Sequence, residues 1–140
     1  MTEPKVQEEV EQKSEKLHRY FTRKQKWKCW NKASFIEGRD PSRWRYDVLG
    51  NPVLRALNGC RGPLCHEYDH ITPYSKGGRT SVKNCQVLQT SVNRYKSNFF
   101  MDKDEMKDGV LDIKFSEQEM DIVEKAVYGD VRKYNNYNGT

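Results

Sequence analysis

The sequence contains no long hydrophobic run. Nothing approaches the roughly 20 apolar residues needed to span a bilayer, and the N-terminal stretch MTEPKVQEEVEQK lacks the apolar core of a secretory signal. These absences argue against a membrane span and against export. We therefore expect a soluble, intracellular protein with no membrane segment.

The chain contains four cysteines. The four cysteines, Cys29, Cys60, Cys65 and Cys85, could form two disulfides in a secreted protein. Because nothing else in the sequence points to export, we expect reduced thiols or metal ligands instead.

Large aliphatic side chains are few, and hydrophobic residues make up only 35% of the 140-residue chain, against 32% charged residues. This balance predicts one domain with a small core and solvated ends. Trp and Phe must then supply much of the buried area. The same rings alternate with Lys and Arg between residues 19 and 46, a composition that also suits stacking on nucleic-acid bases. Either use, core packing or base stacking, fits these aromatic residues.

Charge is distributed unevenly along the chain. Residues 1–17 carry a net charge of −2 and residues 101–140 carry −4, so the segment between them, residues 18–100, carries +11 with sixteen basic and five acidic residues. A positive field of this size attracts polyanions and supports phosphate contacts. Nucleic acid is therefore the expected partner, and the acidic ends could dock onto protein assembly partners.

Periodicity and turn signals predict the elements of the chain. Residues 5–26, which follow Pro4, contain no Gly or Pro and are predicted to form a helix. WRYDVLGNPVLRAL predicts a β-hairpin that turns at Gly50 and Asn51. HEYDHI predicts a strand, the polar loop PYSKGGRTSVKN follows, and VLQTSVNRYKSN (87–98) predicts a helix. In FSEQEMDIVEKAVYGD, a capping box of Ser116 and Glu119 and a terminal Gly129 delimit a last helix with an apolar stripe of Met120, Val123 and Val127.

The segment from Glu67 to Lys96 carries the candidate chemistry. A divalent cation prefers hard oxygen ligands, which Asp69 and the amide oxygen of Asn93 can supply. His70 has the near-neutral pKa that a general base requires. Asp69 and His70 are neighbours on a predicted strand and should face opposite sides unless the strand ends there, and Pro73 makes an early end reasonable.

Together the elements DHI-P-SKGG, NCQVL and NRYK resemble the HNH endonuclease family, whose members contain the ββα-metal (His-Me) finger. Asn84 follows His70 by fourteen positions and Asn93 follows Asn84 by nine, a spacing similar to that of members whose last His is replaced by Asn. GRDPSRWRYD upstream and AVYGDV downstream are similar to small HNH proteins of plants and related eukaryotes.

The resemblance implies a role for each matching position. His70 would be the general base that activates water, Asp69 and Asn93 would bind Mg²⁺ or another divalent cation, and Asn84 would hold the loop and orient His70. Charge placement, independently of the resemblance, makes four side chains candidates for binding substrate phosphates: Lys76, Arg79, Arg94 and Lys96.

A structural zinc is a further possibility raised by the resemblance, because HNH proteins often hold zinc with two C-x-x-C pairs. The second pair would fall at Gln89 and Val92, which cannot supply thiolates. Cys60 and Cys65 could still bind zinc together with Cys85 or His66, although four ligands at zinc-finger spacing are not evident.

The resulting expectation is an α+β fold: a ββα-metal finger made of a short β-hairpin and a helix, an additional upstream β-hairpin, and flanking N- and C-terminal helices. Its regions would be a polar helical extension (1–26), an HNH nuclease core (27–100), and an acidic linker, C-terminal helix and polar tail (101–140). The expected function is metal-dependent endonuclease activity on DNA, with DNA favoured over RNA and with a nucleus or a DNA-containing organelle as a plausible compartment. The alternative is a nuclease-like, nucleic-acid-binding or scaffold subunit of a larger assembly that does not cleave.

Overall fold

The computed structural model describes residues 18–133, and these residues form a mixed α+β structure with two small antiparallel sheets. The predicted α+β class is therefore confirmed. In chain order the elements are α1 (Arg23–Lys32), β1 (Trp44–Tyr46), β2 (Pro52–Leu54), β3 (His66–His70), β4 (Cys85–Gln89), α2 (Thr90–Lys96), α3 (Lys103–Met106) and α4 (Glu117–Tyr128), with short 3₁₀ turns at Tyr74–Lys76, Val82–Asn84 and Lys107–Gly109. Across residues 18–133, no helix has the length and apolar character to cross a bilayer.

The single helix predicted over residues 5–26 is wrong at residues 20–22, which are not helical, although His18 and Arg19 are; residues 5–17 lie outside the described part of the chain. The Thr22 hydroxyl accepts a hydrogen bond from the backbone N–H of Gln25 at 3.1 Å, and the Gln25 side chain accepts one from the backbone N–H of Thr22 at 2.9 Å. This reciprocal cap starts α1 at Arg23. The helix continues to Lys32 and so crosses the boundary predicted between residues 26 and 27. The polar tail predicted at the C-terminus, from residue 134 onward, lies outside the described residues.

The predicted upstream hairpin is confirmed. Strands β1 and β2 are antiparallel with Trp44 opposite Leu54. The turn is organised by Asp47, whose carboxylate accepts hydrogen bonds from the backbone N–H groups of Leu49 and Asn51 at 2.9 and 2.8 Å. The same carboxylate also accepts the backbone N–H of Gln89 at 2.8 Å. Asp47 thus ties this hairpin to the end of β4, and burial raises the pKa of its carboxyl.

Strands β3 and β4 form the second antiparallel pair, with His66 opposite Gln89 and His70 opposite Cys85. Helix α2 follows β4 without an intervening loop, since β4 ends at Gln89 and α2 begins at Thr90. The predicted helix over residues 87–98 is therefore wrong at its start. Val87, Leu88 and Gln89 pair with β3 instead, because the ladder buries every residue of β4.

Two of the three tryptophans are core residues, as the shortage of aliphatic side chains predicted. Trp30 and Trp44 are fully buried, whereas Trp27 is 40% exposed. Within residues 18–133 the buried apolar side chains form three clusters: Phe21, Cys29, Trp30, Val53, Cys85 and Val87; Ile36, Trp44, Leu54, Leu64 and Met120; and Leu88, Val92 and Met106.

The prediction of reduced thiols is confirmed for Cys29 and Cys85, which are free and buried, and it is wrong for the other two cysteines. Cys60 and Cys65 are joined by a disulfide across their turn, so neither sulfur is available to bind zinc. Cys85 lies on β4, where a hydrogen bond with Cys29 and burial raise the pKa of its thiol. His66 is buried with Nε2 3.0 Å from the carbonyl oxygen of Arg55, and burial lowers its pKa to about 4. The zinc site suggested for Cys60, Cys65 and Cys85, with His66 as a further ligand, is therefore incompatible with this arrangement.

Helix α4 follows the predicted signals closely. Ser116 and Glu119 form the capping box, and Gly129 adopts the left-handed conformation at the C-terminus with φ of 87°. Of the predicted apolar stripe, Met120 is buried, Val123 is half-buried and Val127 is largely exposed. The sequence did not predict that Glu124, on the same helix, is completely buried.

Glu124 joins α4 to the segment before β1. Its carboxylate accepts hydrogen bonds from the Arg43 guanidinium at 2.9 Å, the Arg39 guanidinium at 3.3 Å, the Trp44 indole N–H at 2.8 Å and the backbone N–H of Arg132 at 2.8 Å. Arg39 and Arg43 are themselves buried. A buried charge is tolerated only when it is paired and hydrogen-bonded. Here the buried carboxylate of Glu124 is paired and hydrogen-bonded with the two buried guanidinium groups.

Replacing Glu124 should be strongly destabilising. Glu124→Gln keeps the shape but removes the charge that compensates two buried guanidinium groups, so we expect a loss of about 3 kcal/mol in the free energy of unfolding. The measurement is urea denaturation followed by circular dichroism. Gln118→Ala, at an exposed position of the same helix, is the control and should change stability by less than about 0.5 kcal/mol. A similar stability for both variants would contradict this role of Glu124.

Candidate functional site

Asp69, His70 and Asn93 line one cleft of about 320 Å³. Asp69 and His70 are the last two residues of β3, and Asn93 lies on α2. The strand ends at His70, as the position of Pro73 predicted, and both neighbouring residues line the cleft. We call this space the catalytic cleft after the role that the sequence predicts for His70. Its remaining walls are Arg19, the loop residues Pro73, Tyr74 and Ser75, and the residues that follow α2, Ser97 and Asn98.

The His70 imidazole is held on two sides. Its ring stacks on Phe21 with centroids 4.4 Å apart, and Nε2 lies 2.9 Å from the Thr80 hydroxyl oxygen. Burial lowers the pKa of His70, the Asp69 carboxylate opposes that shift, and the positive charges of Lys96 and Arg19 lower the pKa further. The lowered pKa favours the neutral imidazole at neutral pH. That is the form able to accept a proton from water.

Asp69 is largely buried and has two partners at one oxygen. Its Oδ2 accepts a hydrogen bond from the Gln86 amide at 3.0 Å and lies 3.0 Å from Nζ of Lys96. Gln86 stands directly opposite Asp69 in the β3–β4 ladder. The register of the sheet therefore selects this partner, and the ion pair with Lys96 holds the carboxylate in place.

Lys96 differs from its predicted role as a phosphate ligand. Its side chain is 1% exposed, and Nζ donates a hydrogen bond to the backbone carbonyl oxygen of His70 at 3.1 Å in addition to pairing with Asp69. A buried ammonium group with these partners is a structural link between α2 and the end of β3. The prediction for Lys96 is therefore wrong, because the long side chain points into the protein rather than toward solvent.

Asn84 ties together the loop between β3 and β4. Its amide oxygen accepts the backbone N–H of Thr72 at 2.9 Å, and its amide nitrogen donates to the carbonyl oxygens of Thr72 at 3.0 Å and Arg79 at 2.8 Å. The chain passes so close at Gly78 that a Cβ there would lie 1.8 Å from the Thr72 carbonyl oxygen. Closing the loop in this way brings Thr80 to the His70 ring.

Asn93 reaches the cleft from α2, with its amide nitrogen donating to a carboxylate oxygen of Glu67 at 3.1 Å. The other oxygen of Glu67 lies 3.4 Å from the Arg94 guanidinium, which is half exposed to solvent. Glu67 therefore orients the Asn93 amide on the same side of the hairpin as Asp69. Arg94 is accessible to a ligand only in competition with this ion pair.

The two remaining phosphate candidates, Lys76 and Arg79, have exposed side chains on the loop between β3 and β4. Neither lines the catalytic cleft. Asp69, His70 and Asn93 thus line the same cleft. Asn84 does not line it but holds the loop beside it, and Lys76 and Arg79 do not line it either.

Sequence reasoning missed four side chains that shape the site: Arg19, Phe21, Thr80 and Gln86. Arg19 and Phe21 stand in the basic and aromatic segment, but nothing local connects them to His70. Gln86 was predictable in principle, because an antiparallel pairing of HEYDH with CQVLQ places it opposite Asp69. Thr80 depends on the path of the loop and has no comparable signal.

The donor set of the cleft is compatible with a hard divalent cation that keeps several waters. Asp69 and Asn93 offer a carboxylate and an amide oxygen from two rigid elements. Within residues 18–133, no group of three or more His, Cys, Asp or Glu side chains is placed to hold a metal ion. A cation here would therefore depend on water and on substrate oxygens for most of its coordination.

The electrostatic account of His70 can be tested by titration. We expect its imidazole resonances to titrate with a midpoint below 6.5, because burial disfavours the charged form. Arg19→Gln should raise the midpoint toward 6.5, since it removes a positive charge that disfavours protonation. The measurement is ¹H–¹³C NMR of the histidine rings, with Lys24→Gln as a control that leaves the midpoint unchanged. A midpoint above 6.5 would contradict this description.

Comparison of the chain with protein-family models, with curated proteins and with solved structures finds no match. The support for a function of this chain is accordingly the geometry of the catalytic cleft together with the charge of the segment that contains it.

Proposed function

We propose that this protein is a metal-dependent endonuclease that hydrolyses phosphodiester bonds of DNA. The observation that carries the proposal is the convergence of Asp69, His70 and Asn93 on one cleft. A carboxylate and an amide oxygen can hold a divalent cation, and a neutral imidazole can accept a proton from the water that attacks a phosphodiester. The cleft also belongs to the segment of the chain that carries a net charge of +11, which favours a polyanionic substrate.

In this proposal the unit from β3 to α2 is a ββα-metal finger of the kind found in HNH endonucleases. His70 accepts a proton from the attacking water at a ring nitrogen. Asn84 is a positioning residue, because its hydrogen bonds close the loop that presents Thr80 to the imidazole. Asp69 and Asn93 would hold the cation, which would stabilise the charge that develops on the phosphoryl group and on the leaving oxygen.

The pH dependence follows from the environment of His70. Only the neutral imidazole accepts a proton, so activity should fall as pH drops through the lowered pKa of His70. The acid limb of the profile is therefore expected below pH 6.5. DNA is preferred to RNA as the expected substrate, and a matched RNA in the same assay distinguishes them.

A second candidate function is favoured by one specific observation. Nζ of Lys96 lies 3.0 Å from Oδ2 of Asp69, so a positive charge already compensates the carboxylate that would bind the cation. A nuclease-like fold with this internal pairing would suit a nucleic-acid-binding or scaffold subunit that does not cut. Such a protein would bind DNA in the presence of Mg²⁺ or Mn²⁺ and leave it intact.

A plasmid assay separates the two candidates. We expect the purified chain to convert supercoiled plasmid to nicked or linear forms when Mg²⁺ or Mn²⁺ is added, and EDTA to stop the reaction. His70→Ala should lower the rate by at least 10²-fold, the usual contribution of a general base. His18→Ala, at an exposed position that does not line the catalytic cleft, is the matched histidine control and should cut like the wild type.

Three outcomes of this assay would be decisive against parts of the proposal. Cutting that survives His70→Ala would exclude His70 as the base. Equal losses in His70→Ala and His18→Ala would show that the loss of cutting is not specific to His70. Binding of the plasmid with no cutting at any metal concentration would favour the scaffold function.

A further inference from the structure

The catalytic cleft does not end at His70. A second cleft of about 270 Å³ shares Arg19 and His70 with it, and a third of about 430 Å³ shares Lys26, Asn58 and Tyr68 with the second. The three clefts are therefore adjacent to one another, and we treat them together as one depression. It leads from the end of β3, along α1, to Tyr128 at the end of α4.

Four cationic side chains line the second and third clefts: Arg19, Arg23, Lys26 and Arg55. None of them forms an ion pair with another residue in the range 18–133. The acidic side chain on this path, Glu67, is already engaged by Arg94 and Asn93. By contrast, four other basic residues of the same charged segment, Arg39, Arg43, Arg45 and Lys96, are buried. The positive charge that faces this depression is thus available to a ligand.

Aromatic rings lie between these cations. The Arg55 guanidinium lies over the Trp27 ring at 4.1 Å, and Nζ of Lys26 lies 5.9 Å from the centre of the Tyr68 ring. Trp27 is 40% exposed, whereas the other two tryptophans are fully buried. Cations alternating with accessible rings are suited to a nucleic-acid strand, because the cations contact phosphates and the rings stack on bases.

We infer that this depression, which we call the basic groove, binds a single nucleic-acid strand and leads it to His70. The inference rests on the proposed function for its substrate class and adds the path of the strand. Phosphates would lie along Arg19, Lys26, Arg23 and Arg55, and a base would stack on the accessible part of Trp27.

Helix α1 offers a charge-matched test of the groove. Arg23 and Lys26 line it, whereas Lys24 and Lys28 are exposed on the same helix and do not. We expect Arg23→Gln/Lys26→Gln to weaken binding of a fluorescein-labelled oligothymidylate on the order of tenfold. The salt dependence should also fall by about 1.4 in the slope of log K against log salt, since each single-strand phosphate contact contributes about 0.7. Lys24→Gln/Lys28→Gln should change affinity less than about twofold.

The measurement is fluorescence anisotropy in EDTA, so that binding is observed without cleavage. Both double variants have the same net charge, and their melting temperatures serve as the check on folding. If both double variants weaken binding equally, α1 attracts DNA only through its overall charge, and the proposed binding of a strand in the basic groove is contradicted.

Tryptophan fluorescence tests the stacking step independently. Trp27 is the accessible indole of the three in the chain, so a stacked thymine should quench the emission of the wild type. Polyglutamate, an anionic polymer without bases, should not. Absence of quenching at saturating oligothymidylate would overturn the stacking of a base on Trp27. Equal competition by polyglutamate would instead identify the groove as a docking surface for an acidic protein.

The outcomes for the groove and for the nuclease are distinguishable. If Arg23→Gln/Lys26→Gln selectively loses binding and the wild type does not cut plasmid, the basic groove is supported and the nuclease function is contradicted. If the wild type cuts plasmid and Arg23→Gln/Lys26→Gln binds as tightly as the wild type, the nuclease function is supported and the basic groove is contradicted.

Discussion

One buried ammonium group links the elements of the catalytic cleft. Nζ of Lys96 contacts the Asp69 carboxylate at 3.0 Å and the His70 carbonyl oxygen at 3.1 Å. Leaving such a charge buried without partners would cost several kcal/mol, so the last turn of α2 must stay against the end of β3. Asn93 lies nearly one helical turn before Lys96 and is carried to the same side of the hairpin. The position of the amide relative to the carboxylate and the imidazole therefore depends on this link.

Ion pairs inside the protein also determine which charges face outward in the described part of the chain. The acidic residues of α4 do not form a uniformly acidic outer surface, because Glu117, Asp121 and Glu124 pair with Arg39 at 2.9, 2.7 and 3.3 Å. Net charge along the sequence consequently overstates how acidic the C-terminal helix is toward a partner. The cations that line the basic groove belong to α1, the residues before it and the segment after β2. Among the cations proposed to bind a polyanion, Arg19 also lines the cleft that contains His70.

Local signals predicted the parts of the fold that local interactions determine. Thr22 with Gln25 and Ser116 with Glu119 cap helices through contacts three residues apart, and only the second pair was recognised from the sequence. The hairpin of β1 and β2 followed from its turn residues. By contrast, Val87, Leu88 and Gln89 have a pattern that suits either a helix or a buried strand, and only the partner strand β3 decides between them.

Charged residues inside the protein were the least predictable. Glu124 looks like an ordinary exposed residue of α4, and Lys96 looks like an ordinary surface lysine at the end of α2. Each is buried because partners distant in sequence, Arg39 and Arg43 for Glu124 and Asp69 for Lys96, meet it there. The Cys60–Cys65 disulfide was missed for another reason, since the expectation rested on the cellular environment rather than on the short turn that joins the two residues. For the site, the sequence predicted which residues would converge but not which charges would surround them.

The ion pair of Lys96 with Asp69 also limits how a cation can act in the proposed mechanism. An ammonium group at one carboxylate oxygen reduces the negative charge that Asp69 offers to a metal ion, and Asn93 contributes a neutral ligand. Two such ligands attract a divalent cation weakly on their own. The missing negative charge is present on a substrate phosphate, which the basic groove would deliver beside His70. Metal and nucleic acid would then bind cooperatively, because each supplies charge that the other needs, and the protein without substrate would hold little metal.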